Sequence, residues 1–154
     1  MKAVRALILA FSLLSAAQAF AQDLSVNAVK ELMALIDAAV TRGDFATVGQ
    51  HMAEHATVSG TTTAGGQIQS FRMTKSQYIR TASAVVAAAA SHSYERTNEK
   101  ISVDGGQATI TADIAESTVL NGQTINSNSR ERTTVESIDG VLMVTQVVAN
   151  STIL

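Results

Sequence analysis

The hydrophobic period of the sequence changes at His92, and this change limits the fold more than any other feature. Before His92, apolar residues recur at helical spacing, and after it apolar and polar residues alternate to the end of the chain. Gly105-Gly106, Asn121-Gly122 and Asp139-Gly140 interrupt the alternation, and such pairs favour tight hairpin turns. The second half is therefore predicted to form an antiparallel meander of four strands, over about 93–103, 107–120, 123–137 and 141–153.

The first half predicts three helices and two short strands. The first helix buries the face of Val29, Leu32, Met33, Ile36 and Val40 and ends at Gly43. A short second helix starts after Asp44 and places Phe45, Val48 and Met52 on one side. Strands are predicted over 56–60 and, with weaker alternation, 67–73.

The third helix starts at a capping box formed by Thr74 and Gln77, and its apolar stripe runs from Tyr78 to Ala89. Helices followed by a meander indicate an α+β fold, in which the helices pack on one face of an antiparallel sheet.

The first 21 residues predict a cleavable signal peptide. Lys2 and Arg5 precede the apolar run from Ala6 to Ala17, and a small-x-small cleavage site ends at Ala21. A membrane anchor is the alternative interpretation, but a spanning helix needs about 20 apolar residues. The sequence therefore predicts a signal peptide over 1–21, a single domain over 22–154, and a periplasmic or secreted location without a membrane segment after cleavage.

Charge and composition exclude several functional classes. Of the 11 basic and 13 acidic residues, two basic and no acidic ones lie in the leader, so the mature part carries 9 basic and 13 acidic residues. A net negative domain argues against nucleic-acid binding, which needs a basic face. The chain has no cysteine, which excludes thiolate chemistry, and it has no dinucleotide or phosphate-loop motif, so no cofactor is predicted.

The order of elements resembles the nuclear transport factor 2-like superfamily, also called SnoaL-like. The resemblance covers nearly all of 24–154, and four segments carry it: Gly43-Asp44-Phe45, Thr74 to Tyr78, Ile101 to Thr109 and Ile138 to Val144. It implies a cone-shaped domain in which a curved antiparallel sheet wraps about three helices and leaves a pocket at its open end. Because this fold serves many tasks, function has to be argued from pocket residues.

Four residues are candidates for the pocket: His55, Tyr78, Glu116 and Arg132. His55 lies at the edge of the apolar side of the predicted second helix, where an imidazole can act as a base. Tyr78 opens the apolar stripe of the third helix, and a pocket tyrosine can donate to an oxyanion. Glu116 shares strand parity with Ile114, so its carboxylate either projects into the open end of the pocket, where it can act as a base, or lies past the end of the core. Arg132 can hold a ligand carboxylate through paired hydrogen bonds.

Neighbouring polar residues have simpler interpretations. His51-Met-Ala-Glu-His55 matches a zinc-protease pattern, but no third ligand is marked, so no metal site is predicted. Asp113 has outward parity, and Arg130, Glu131 and Arg132 are typical of cross-strand ion pairs on an exposed face. His92 is expected at the junction between helix and strand without a chemical role.

Three functions fit these features. The first is an exported module that binds a small molecule in the open end of the cone. The second is a cofactor-free lyase, isomerase or hydrolase that uses His55, Tyr78 or Glu116. The third is a dimerising or structural module whose sheet face pairs with a second copy or another protein.

Overall fold

The first helix forms where the sequence supplies both a cap and a buried face. The structure, a computed structural model, describes residues 24–154, so the predicted leader over 1–21 lies outside the described residues. Helix α1 spans Val26–Thr41, and the side chain of Ser25 accepts a hydrogen bond from the backbone N–H of Ala28 at its start. Its buried residues are the predicted apolar face together with Ala39.

The remaining elements follow in the order expected from the sequence. Helix α2 spans Phe45–Gln50, strand β1 Met52–Ala64, strand β2 Gln67–Thr74 and helix α3 Lys75–Ala88. The meander comprises β3 Ser91–Asp104, β4 Gln107–Leu120, β5 Gln123–Ile138 and β6 Val141–Ile153. The four predicted strands are therefore confirmed, because alternation and glycine turns are local signals that need no knowledge of the tertiary structure.

The six strands form one sheet in the order β2-β1-β6-β5-β4-β3. All neighbours are antiparallel except β1 and β6, which are parallel. The helices cover the inner face of this sheet, where Ile110, Val135 and Leu142 are buried with the apolar face of α1. The predicted α+β class, with helices on one face of a mostly antiparallel sheet, is confirmed.

The second helix is shorter than predicted. It ends at Gln50, and the chain enters β1 at Met52, because the carbonyl of His51 accepts a hydrogen bond from the backbone N–H of Val144, 2.9 Å away. Met52 already pairs with Val144 of β6. The predictions that Met52 belongs to α2 and that His55 lies at the edge of this helix are wrong, because both residues belong to β1.

Helix α3 begins with the predicted capping box between Thr74 and Gln77. None of its residues is fully buried, although Tyr78, Ile79, Ala82 and Val86 pack against the core. This helix therefore packs at the edge of the core, where it contacts α2, β1 and β2. Within residues 24–154, no helix is long and apolar enough to cross a membrane.

Candidate functional site

A cavity of about 310 Å³ lies between the inner face of the sheet and the three helices. Most of its lining is apolar and comes from every layer: Phe45 and Val48 of α2, Val86 of α3, and Val144 and Val147 of β6. The cavity lies near the lower end of the size range of small-molecule sites. A cavity of this size suits a small ligand.

One wall of the cavity is polar, and strand alternation builds it. His92, Tyr94 and Arg96 are two residues apart on β3, so they point to the same face and all line the cavity. On β4, Glu116 lies opposite Tyr94 and Thr118 opposite His92. Neighbouring strands thus place an imidazole, a phenol, a guanidinium and a carboxyl group side by side.

Arg96 is the centre of this wall. Its Nε donates to both carboxylate oxygens of Asp37 on α1, 3.0 Å away in each case. Its Nη2 donates to the hydroxyl of Tyr94 and to Oε1 of Glu131, both at 2.9 Å. Only 7% of the Arg96 side chain is exposed, so these contacts tie α1 to β3 and β5 in a water-poor interior.

Small side chains make room for this network. Ala112 of β4 lies opposite Glu131 in the sheet and is fully buried, and Ala149 of β6 flanks Glu131 on its other side. A larger residue at 112 would fill the space above β4 that separates β3 from β5. The hydroxyl of Thr133 donates to the same Oε1 of Glu131 at 2.9 Å, which fixes that carboxylate further.

The charge of Arg96 is secured by its neighbours. Burial alone lowers the pKa of Arg96, but Glu131, Tyr94 and Asp37 outweigh it and raise the pKa overall. Its Nη1 is buried and has no hydrogen-bond partner within residues 24–154. Unpartnered buried donors are uncommon, and one in the wall of a cavity is a candidate contact for a ligand oxygen.

Glu116, unlike Arg96, faces the cavity without an ion-pair partner in the described part of the chain. No side chain within residues 24–154 forms an ion pair or a hydrogen bond with its carboxyl group. Burial raises the pKa of Glu116, and the nearby negative charge of Glu131 raises it further. Glu116 therefore releases its proton at a higher pH in the folded protein than in the unfolded chain.

The raised pKa of Glu116 predicts that Glu116→Gln stabilises the protein at neutral pH. The unfolded chain releases the Glu116 proton at a lower pH than the folded chain, so Glu116 costs stability as the pH rises above its unfolded pKa. The variant removes this cost. The melting temperature of the variant should exceed that of the parent, and the difference should grow as the pH rises from acidic to neutral.

Asp113→Asn is the matched control for this experiment. Asp113 is on the outer face, where hydrogen bonds from Arg130 and Asn98 lower the pKa of its carboxyl group. Its replacement should therefore lower, not raise, the melting temperature at neutral pH. A Glu116→Gln variant that melts below the parent at neutral pH would contradict the assignment of Glu116 as an unpartnered acid.

His92 is held in a defined orientation at the rim of the wall. Its Nδ1 lies 3.1 Å from the hydroxyl of Thr118, whereas Nε2 is buried and has no hydrogen-bond partner among residues 24–154. Burial lowers the pKa of His92, which favours the neutral ring. A neutral imidazole with one anchored nitrogen and one unpartnered nitrogen can accept or donate a proton.

Tyr78 contributes its ring from α3. It packs edge-on against Phe45, with ring centroids 6.2 Å apart. Burial is the main cause that raises the pKa of Tyr78, followed by the charges of Glu131 and Glu116. Its hydroxyl therefore stays protonated and is available as a donor at the side of the cavity opposite the sheet.

The structure places the four predicted pocket residues in two different environments. Tyr78 and Glu116 line the cavity. His55 is exposed on β1, because the chain has already left α2. Arg132 is exposed on the outer face of β5, since the inward positions on either side belong to Glu131 and Thr133. His55 and Arg132 therefore do not contact the cavity.

Sequence reasoning missed Asp37, His92, Tyr94 and Arg96, and it treated Glu131 as part of an exposed polar strand. The alternation of His92, Tyr94 and Arg96 was a usable signal, because three chemically active residues at a spacing of two share one face. On the outer face, the predicted cross-strand ion pairing is present: Arg130 and Asp113 form an ion pair at 2.6 Å. Within the described part of the chain, no cluster of three or more His, Cys, Asp or Glu could hold a metal ion.

Comparison with known proteins supports the fold and leaves the chemistry open. No family model matches the chain. No curated protein matches it either.

Several solved structures superpose on most of the chain. A protein provisionally named a scytalone dehydratase, from Novosphingobium aromaticivorans, has a TM-score of 0.64 and 12% identity over 81% of this chain and 82% of its own. A protein from Streptomyces avermitilis, provisionally named a dehydratase of the NTF2-like family, has a TM-score of 0.61 and 17% identity over 81% and 94%. An NTF2-like protein from Cytophaga hutchinsonii has a TM-score of 0.64 and 11% identity over 80% and 95%.

Proposed function

We propose, from the nuclear transport factor 2-like fold of residues 24–154, that this protein is an exported module that binds a small molecule in the cavity under α3. The ligand has an apolar body, which contacts the helices and β6, and a polar head, which contacts the wall formed by His92, Tyr94, Arg96, Glu116 and Glu131. The predicted leader over 1–21 supports the proposed export.

The observation that carries this proposal is the carboxyl group of Glu116, which has no hydrogen-bond or ion-pair partner within residues 24–154 although it lies in the polar wall of a largely apolar cavity. Protein interiors are close-packed, and buried polar groups are nearly always hydrogen-bonded. A purely structural core would be expected to fill about 310 Å³ with side chains and to replace Glu116 by an apolar residue. An open cavity with Glu116 in its wall is better explained by a ligand that supplies the missing contacts.

A second candidate function is a cofactor-free lyase, and Nε2 of His92, which has no partner in the described part of the chain, favours it. His92 and Glu116 are diagonal neighbours on adjacent strands. The backbone positions of such neighbours are about 7–8 Å apart, which leaves room for a reacting group between the two side chains. A neutral imidazole and a carboxylic acid can take and give a proton in an elimination of water. The two solved structures provisionally named as dehydratases have the same fold, which is compatible with this chemistry but does not assign it.

Blocking the cavity should abolish ligand binding. Ala82 is half-buried on α3 and lines the cavity, so Ala82→Phe places a ring in the space that the ligand needs. Native mass spectrometry of the parent should show a bound mass that disappears on denaturation, and the Ala82→Phe variant should show none. The bound molecule, once identified, also separates the two functions: a binding module returns it unchanged, whereas a lyase converts it.

Ala84→Phe serves as the control for the blocked cavity. Ala84 is on the exposed side of the same helix and does not line the cavity, so this variant should keep the bound mass. A parent protein without any bound mass, or a bound mass that survives Ala82→Phe, would contradict binding in this cavity.

A further inference from the structure

We propose that the cavity selects an organic cation, an ammonium group on a small apolar body, and that Glu116 and Glu131 hold this group. The inference rests on the proposed function and adds the charge and chemical class of the ligand. The argument depends on the balance of charge in the wall, on the free acceptor atoms and on the aromatic rings around them.

Carboxylates outnumber cations in and behind the wall. Asp37, Glu116 and Glu131 are the three carboxyl groups, and Arg96 is the only Lys or Arg that lines the cavity within residues 24–154. Asp37 and Glu131 already neutralise Arg96 through direct hydrogen bonds. An anionic ligand would therefore meet a region of net negative charge in a medium of low polarity, where repulsion is strong.

The acceptor atoms that remain free also point to a donor on the ligand. Arg96 and Thr133 both donate to Oε1 of Glu131, and Oε2 has no hydrogen-bond partner within residues 24–154. Both oxygens of Glu116 lack a partner in the same part of the chain. An ammonium group carries several donors and can contact both carboxylates, which would remove their mutual repulsion.

The rest of the lining fits the cation and its apolar body. The rings of Tyr78 and Tyr94 both line the cavity, and aromatic faces attract organic cations. Nη1 of Arg96, which lacks a partner within residues 24–154, does not cancel this preference, because Asp37 and Glu131 neutralise the guanidinium and Nη1 can donate to a neutral oxygen of the ligand. The other titratable groups that face the cavity do not cancel it either. Burial lowers the pKa of His92, so its ring stays neutral, and both tyrosines have raised pKa values and also stay neutral. The parts of α2, β1 and β6 that line the cavity contribute only apolar residues.

Three probes of similar size and different charge test the inference: benzylamine, benzyl alcohol and benzoate, each titrated into the protein by calorimetry at neutral pH. Benzylamine should bind about tenfold or more tightly than benzyl alcohol, as expected for hydrogen bonds between charged groups, and benzoate should bind most weakly. In Glu116→Gln, the advantage of benzylamine over benzyl alcohol should fall by about tenfold, while the affinity for benzyl alcohol stays the same.

The pH dependence gives a second readout. Benzylamine should bind the parent more tightly as the pH rises from mildly acidic to neutral, because Glu116 must lose its proton to pair with the ammonium group. This dependence should be much weaker in Glu116→Gln.

Equal binding of amine and alcohol, or tighter binding of benzoate, would overturn the cation site and leave the proposed binding function intact. No saturable binding by any of the three probes would overturn both. Asp113→Asn, on the outer face, should leave all three affinities unchanged, and an effect as large as that of Glu116→Gln would show that remote charge, not contact in the cavity, sets the preference.

Discussion

Replacing Arg96 by Met should destabilise the protein by about 3–5 kcal/mol. Met keeps much of the length of the side chain, so the main change is the loss of the cation between Asp37 and Glu131. Those carboxylates are only 26% and 16% exposed, and without Arg96 both would be left in the interior without their ion-pair partner. Urea unfolding followed by circular dichroism measures the difference in the free energy of unfolding.

The outer face offers a matched control for Arg96→Met. Arg130 also forms an ion pair, with Asp113 alone on the neighbouring strand, but these side chains are 52% and 42% exposed. Exposed pairs are worth about 0–1 kcal/mol, so Arg130→Met should have little effect. Equal losses for the two variants would contradict the conclusion that burial makes the Arg96 network important.

A double variant separates buried charge from lost packing at Arg96. Glu131→Gln removes one of the two carboxylates that Arg96→Met leaves unpaired. If unpaired charge causes the destabilisation, the double variant should lose less free energy of unfolding than the sum of the losses of the two single variants. Strict additivity would assign the loss to packing of the arginine stem instead.

The fold could be predicted from the sequence because its signals are local. Each strand of the meander has its own alternation, and each hairpin has its own glycine pair. The short apolar stretch around Met52 was the exception, since a helix end and a strand start look alike there. The hydrogen bond from the backbone N–H of Val144 to the carbonyl of His51 makes this stretch a strand. It joins residues that are far apart in the sequence, so no local pattern could predict it.

The site could be predicted only in part because it depends on contacts across the sheet. Tyr78 and Glu116 were found from their position in a stripe and from strand parity. The partners of Arg96 lie 59 residues away at Asp37 and 35 residues away at Glu131, and no local pattern joins them. In β5, Arg132 was predicted as the pocket residue, but its neighbour Glu131 lines the cavity. The prediction was off by one position, and one position in a strand turns a side chain to the opposite face.

Gly60→Ala should have an effect as large as the loss of Arg96, for a purely geometrical reason. Parallel pairing of β1 with β6 places Gly60 opposite Ala149, and Gly60 has a φ of +156°. A Cβ at this position would overlap the carbonyl oxygen of Ala149 and lie 2.7 Å from its carbonyl carbon. Both atoms belong to the backbone, so the strands must separate, and we expect a loss of about 4 kcal/mol in the free energy of unfolding.

Separation of β1 from β6 would also disturb the cavity, because Ala149 is the neighbour of Glu131 in the sheet. Gly65→Ala, in the turn between β1 and β2, is the control: its φ is +54°, but no atom lies within 4 Å of the added Cβ. Left-handed backbone costs alanine about 1–2 kcal/mol, and the lower entropy of the unfolded chain returns about 0.4–1 kcal/mol. The net loss at Gly65 should therefore be between about 0 and 1.6 kcal/mol. Similar losses at Gly60 and Gly65 would mean that backbone strain alone acts at Gly60, and that the close approach of β1 to β6 does not hold the wall of the cavity in place.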